Sequence, residues 1–137
     1  MNSKDTSRVR ALVIEDDAHS LFVISLILKD LRVEFKRNTT GAKSVQQLMA
    51  MEPLPDFVLL DLDLPGADSF SILRKLTNDP KTRHIPVIAV GDNHCMDRQH
   101  QALRLGASVF LLKPFARRQF ADMISTLTGK SVQATVS

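Results

Sequence analysis

An α/β fold built on a parallel sheet is predicted by three features of the chain. Short apolar runs alternate with longer segments of helical period, and five such units fit the sequence. Four of the five runs are continuously apolar, as strands covered on both faces are. Three of them end abruptly in charge: Glu15-Asp16-Asp17 after the first, Asp61-Leu62-Asp63 after the third, and Lys113-Pro114 after the fifth. Ligands of open parallel sheets bind in the crevice at the carboxyl ends of the strands, where loops rather than core packing choose the residues. The acidic cluster, Asp61 and Lys113 are therefore expected to converge.

The first strand is read at residues 11–14 and the first helix at 18–31, with the apolar stretch Leu21 to Leu28 inside it. The second strand, 33–36, alternates instead of running apolar, which suits the edge of the sheet. A second helix follows at 41–51, its exit marked by Pro53. The third strand spans 57–60 and the third helix 68–76, with Pro80 beyond it. After the fourth strand at 87–90, a fourth helix over about 93–105 carries only a thin apolar stripe, Met96, Ala102 and Leu103, among Gln99, His100 and Gln101. Thin packing makes such a helix easy to move or to lend to a partner. Gly106 is its expected stop. The fifth strand is read at 109–112, and in the last helix Phe120, Met123, Ile124 and Leu127 recur at i, i+3, i+4 and i+7, which puts them on one buried face.

A chain of 137 residues fits one domain, large enough to bury roughly two-thirds of the surface its unfolded form exposes. That domain is expected over residues 8–128, with polar tails at 1–7 and 129–137, the last of them resembling a cut linker. Apolar residues at 44% and charged residues at 24% are ordinary for a globular protein and unlike disorder. Basic residues exceed acidic ones by 18 to 15, a net charge of +3, but they are scattered rather than gathered into a stripe, which argues against direct nucleic-acid binding. Cys95 is the single cysteine, so no internal disulfide forms and a reducing, cytoplasmic setting is expected. No apolar stretch approaches the roughly 18 residues of a membrane span, and the polar N-terminus is unlike a signal peptide. His19, His84, His94 and His100 are not spaced with Cys95 as a zinc set.

Four ordered motifs carry a resemblance: IEDD at Ile14 to Asp17, VLLDLDLPG at Val58 to Gly66, IPVI at Ile85 to Ile88, and GASVFLLKPF at Gly106 to Phe115. Over about residues 8–128 the chain resembles the receiver domain of two-component response regulators. The resemblance implies a flavodoxin-like (βα)5 fold with a five-stranded parallel sheet in the order 2-1-3-4-5. It implies that Asp61 accepts a phosphoryl group from a histidine kinase or a histidine phosphotransfer protein, and that Lys113 contacts the phosphoryl oxygens. A phosphoryl group approaching an anionic carboxylate needs a divalent cation, and Mg²⁺ prefers carboxylates, carbonyls and water. Asp16 and Asp61 match its carboxylate ligands, Asp63 the backbone carbonyl ligand, and Glu15 lies nearby. Output to a downstream protein is expected through the face made by the fourth helix, the fifth strand and the last helix. The dimer of transcription-factor receivers is not expected, because matching acids are missing from the fourth helix and fifth strand.

Two departures from the family pattern bear on output. Where the family ends its fourth strand in Ser or Thr, whose hydroxyl hydrogen-bonds the phosphoryl group, this chain has Gly91; the following small residue is replaced by Asp92. A charge-assisted hydrogen bond contributes about 1.5 to 3 kcal/mol, so its loss beside an added negative charge is enough to shift a two-state equilibrium about tenfold. Phe110 stands at the family's aromatic switch position, and because Gly91 leaves a space but no moving hydroxyl, the ring is expected to sit inward regardless of phosphorylation. A second reading keeps the fold and makes the chain a phosphorylation-independent interaction module, a pseudo-receiver. A more remote one follows from Asp61-Leu62-Asp63, which also resembles the nucleophile and acid/base pair of haloacid-dehalogenase-type phosphatases, although those enzymes carry their metal-binding acids downstream and here the cluster lies upstream.

Overall fold

The computed structural model describes residues 8–65, 67–92 and 96–132. The five apolar runs form strands β1 (Arg10–Ile14), β2 (Glu34–Asn38), β3 (Phe57–Asp61), β4 (Val87–Gly91) and β5 (Val109–Leu112). They pair in parallel in the order β2-β1-β3-β4-β5, the flavodoxin-like order that the resemblance implies. Among the described residues, the connections are helices α1 (Ala18–Asp30), α2 (Ser44–Ala50), α3 (Ser69–Asn78), α4 (Met96–Arg104) and α5 (Arg117–Thr128). None of these helices is long and apolar enough to cross a membrane.

The period-2 alternation of strand side chains divides the apolar residues between two cores. Ala11, Val13, Phe57, Leu59, Ile88 and Val90 face one way and pack with Leu28 of α1 and Phe120 of α5. Leu12, Ile14, Val58, Leu60, Val87 and Ala89 face the other way and pack with Leu48 of α2, Leu73 of α3 and Ala102 of α4. The sheet is thus covered on both faces, which is why β1, β3 and β4 read as unbroken apolar runs. Phe120 meets Phe57 edge-on with centroids 6.4 Å apart and Phe115 at 4.9 Å, and truncating so buried a ring costs about 3–5 kcal/mol.

The boundaries differ from expectation where local signals are faint. β2 starts one residue later and ends two residues later than the alternating run suggests; it is the edge strand, and Val33, read as its first residue, is instead buried against the α1 side. α2 begins at Ser44 rather than at residue 41, because Gly41 (φ +82°) and Lys43 (φ +55°) are left-handed. The Asn38 carboxamide oxygen accepts the amides of Thr40 and Gly41 and organises that turn. A side chain at Gly41 would lie 2.8 Å from the Ala67 Cβ, so this close approach requires glycine.

Asp68, read as the first residue of the third helix, is its N-cap, its carboxylate accepting the amides of Phe70 and Ser71. α4 ends as expected before Gly106, whose φ of +113° is left-handed. Thr77 of α3 sits against that glycine and donates to the Leu105 carbonyl, tying the ends of α3 and α4 together. The expected start of the fourth helix at residue 93, with His94, Cys95 and the Gly66 of the Pro-Gly turn, lies outside the described residues. β5 forms the other edge; Val109 and Leu111 pack into one core and Phe110 against the other, while Leu112 at its end is 45% exposed. Beyond α5, Val132 is buried in the α1/α5 core and exchanges hydrogen bonds with the Ser125 hydroxyl, so packing continues a few residues past residue 128.

Candidate functional site

Strand order decides which loop residues meet. β1 and β3 are neighbours with Ile14 opposite Leu60, so Glu15 and Asp61, each the next residue along, emerge side by side. β4 separates β3 from β5, and the Lys113 side chain crosses its end, where Gly91 has no side chain and its carbonyl accepts the Lys113 amide.

The Glu15 side chain is 0% exposed and that of Asp61 is 4% exposed. Lys113 Nζ donates to Glu15 Oε1 at 2.9 Å, lies 3.9 Å from Asp61 Oδ2, and approaches the Ser20 hydroxyl of α1 at 3.3 Å. Burying two carboxylates is costly unless charge and hydrogen bonds compensate them. Asp61 gains further support from the Asp63 amide, which donates to its Oδ1 at 3.0 Å, while Ser69 donates to its backbone carbonyl at 2.7 Å.

Half-buried Asp16 completes the cluster: Glu15, Asp16 and Asp61 each offer an oxygen, all within 4.8 Å of one another. With all three ionised, one ammonium leaves a surplus of two negative charges. Hard, anionic oxygens crowded in this way suit Mg²⁺, and the donor set fits that ion. Among the described residues, none of His19, His84 or His100 joins such a cluster.

The electrostatics record the crowding. Burial, and then the hydrogen bond with Asp61, push the Glu15 carboxyl up to about 7 against the opposing pull of Lys113. For Lys113, burial pulls the ammonium down, but hydrogen bonding to Glu15 and the charges of Asp61, Glu15 and Asp17 outweigh it and hold it above its ordinary value. Lys113 is therefore charged whenever the acids are. Asp17 stands apart from the expected acidic trio: it is exposed and caps α1, and its bond from the Ser20 amide holds its carboxyl below the ordinary range.

The remaining residues singled out in the sequence lie around this cluster. Asp63 is exposed and turns its carboxylate toward Arg98 of α4 at 3.4 Å. Asp92 is exposed just past β4. Phe110 is partly buried against the core that includes Ala89 and Ala102. Sequence reasoning missed Ser20, Ser69 and Arg98. Ser20 and Ser69 sit in the first turns after the two loops that carry the acids, a position that was open to inspection. Arg98 had no local signal, since 36 residues separate it from the Leu62 carbonyl to which it donates.

A family model described as the response regulator receiver domain matches residues 11–125. Over 120 residues the chain is 39% identical to the response regulator PleD of Caulobacter vibrioides, covering 87% of this chain and 26% of PleD; it thus spans about a quarter of that relative. Among solved structures, the receiver domain of the sensor histidine kinase PA1611 from Pseudomonas aeruginosa PAO1, which holds a magnesium ion in its active-site cleft, is similar with a TM-score of 0.80 at 24% identity, over 89% of this chain and 98% of that one. A response regulator receiver protein from Burkholderia phymatum has a TM-score of 0.76 at 25% identity, over 94% of this chain and all of that one (100%).

Proposed function

The chain belongs to the family of response regulator receiver domains, and on that premise we propose that it accepts a phosphoryl group on Asp61 from a histidine kinase or a histidine phosphotransfer protein. The carrying observation is the placement of a nearly buried Asp61 carboxylate between an oxygen-donor cluster and the Lys113 ammonium. Asp61 Oδ1 is held by the Asp63 amide, which leaves Oδ2, on the Lys113 side, as the attacking oxygen. A new oxygen–phosphorus bond forms as the phosphorus–nitrogen bond of a phosphohistidine breaks, its electron pair staying on the imidazole. Lys113 needs only to shift from Glu15 to meet the incoming phosphoryl oxygens, a charge-assisted contact.

Glu15, Asp16, Asp61 and the backbone carbonyl of Asp63 are the groups that would hold Mg²⁺, in keeping with the magnesium in the PA1611 cleft. When bound, the ion supplies the positive charge that lets two anions approach. The working unit is the domain read at residues 8–128 with the short stretch to Val132 that packs onto it, acting in the cytoplasm as a signalling domain that assists its own phosphorylation rather than as a turnover enzyme. Gly91 brings no hydroxyl to the phosphoryl group and Asp92 adds a charge beside it, so output coupling through Phe110 departs from the family pattern. A downstream protein docks on the α4-β5-α5 face, where Leu103 and Leu112 are exposed, and neither nucleic acid nor a membrane is a direct partner.

The experiment is intact-mass analysis of the chain with Mg²⁺ and acetyl phosphate, beside D61N. A gain of one phosphoryl mass, absent in the control, is expected. The missing hydroxyl at Gly91 favours a second reading, a phosphorylation-independent interaction module; no mass gain in a chain shown to bind Mg²⁺ selects it.

A further inference from the structure

Helix α4 is poorly anchored by its own apolar residues. Ala102 is the buried residue within it, while Met96 is 61% and Leu103 40% exposed. One polar side chain does more. The Arg98 guanidinium donates through Nη2 to the Leu62 carbonyl, lies 3.4 Å from Asp63 Oδ1 through Nη1, and stacks 5.2 Å from the centroid of Phe70 on α3. Leu62 and Asp63 are the two residues that follow Asp61, and the Asp63 amide donates to Asp61 Oδ1. An unbroken chain of contacts thus runs from Asp61 through Asp63 to α4.

Resting on the reading of Asp61 as the phosphoryl acceptor, we propose that Arg98 is a positioning residue that couples the state of Asp61 to the placement of α4, by a route through the acceptor loop that needs no hydroxyl at Gly91. Phosphorylation at Oδ2 makes Asp61 an acyl phosphate and turns its Oδ1 from a carboxylate oxygen into a neutral carbonyl oxygen. The Asp63 N–H bond to it then loses its charge assistance, and with it about half its strength. Asp63 is released from one side while its carboxylate stays paired to the guanidinium on the other, so the loop and α4 move together. The new phosphoryl charge also attracts the guanidinium. A planar fork holding a carbonyl and a carboxylate at once is a task for arginine, and a lysine ammonium reproduces the charge without the fork. Coupling of this kind is reciprocal: whatever factor links Asp61 to α4 also links α4 to Asp61.

The test is amide hydrogen exchange across residues 96–105 of the full 137-residue chain, free and with Mg²⁺ plus beryllofluoride, a phosphoryl mimic. Wild type, R98Q and R98K are compared, and phosphoryl mass gain from acetyl phosphate is measured on each. We expect α4 exchange to respond in wild type, the response to shrink about fivefold or more in R98Q, the low end of typical coupling, and R98K to fall between them. Exchange of β3 amides reports that each variant is folded. A wild-type chain that gains phosphoryl mass but leaves α4 unchanged, or an R98Q response equal to that of wild type, overturns the coupling alone. A wild-type chain that gains no mass overturns the acceptor reading, and the coupling with it.

Discussion

Lys113 is bound to Glu15 more closely than to Asp61, at 2.9 Å against 3.9 Å. The ammonium proposed to meet the phosphoryl group is thus held by the acid whose carboxyl burial pushes up to about 7. Glu15 acts as its resting partner, and the slack toward Asp61 leaves room for an incoming oxygen.

Replacing Lys113 by Met leaves two buried carboxylates without their cation. Unfolding in urea is expected to show a loss on the order of 3 kcal/mol at pH 8, and a smaller loss at pH 6, where Glu15 takes up a proton. Phosphoryl mass gain from acetyl phosphate should fall about tenfold or more, the size of one lost charge-assisted contact. An equal stability loss at both pH values would show that Glu15 is not the compensating group.

The pH dependence of the metal-free chain follows from Glu15. Its carboxyl is raised from an ordinary 4.5 to about 7 by burial first and the Asp61 contact second. The folded state therefore holds this proton more tightly than the unfolded chain. The associated stability is fully present below about pH 4.5 and is lost as pH rises through about 7. Denaturation midpoints measured with EDTA from pH 5 to 8 should decline through this window, and E15Q should flatten the decline. An undiminished slope in E15Q would assign it to another group.

Mg²⁺ should raise the melting temperature at pH 8, above the value of about 7 to which Glu15 is raised, by an amount that grows with its concentration, as for any ligand that binds only the folded state. D16N and D61N each remove a charged oxygen from the cluster and should suppress that rise. Calorimetric scans at several Mg²⁺ concentrations check this, and a rise preserved in both variants would place the ion elsewhere.

Gly91 is not among the glycines with left-handed φ, so a β-branched residue fits its strand conformation. In wild type, the Phe110 ring resonances should show no change of side-chain orientation with Mg²⁺ and beryllofluoride, only small changes as α4 shifts against the ring. In G91T, which supplies a hydroxyl, they should shift. A large ring shift in wild type would refute the inward, uncoupled placement of Phe110.

Strand number, the buried character of the central strands and the acidic and basic strand ends were legible in the sequence, because continuous apolar runs and abrupt charge are local signals. Helix starts were less so. α2 begins three residues late because two left-handed residues precede it, and neither Gly41 nor Lys43 announces that conformation without the Asn38 side chain that holds the turn. The exposure of Leu112 had no local signal either: β5 is as apolar as β3, yet Leu112, the last residue of this edge strand, is 45% exposed.

By itself the sequence determined which side chains the strand ends carry: Glu15, Asp16, Asp61 and Lys113, and no hydroxyl at Gly91. The tertiary structure decided how they are shared. It put Lys113 on Glu15, turned Asp17 out to cap α1, and brought Arg98 from α4 onto the two residues after Asp61. Pattern along a chain reports which residues seek burial, whereas pairing between charges depends on distances of a few ångströms, which are set only once sheet order and helix placement are fixed.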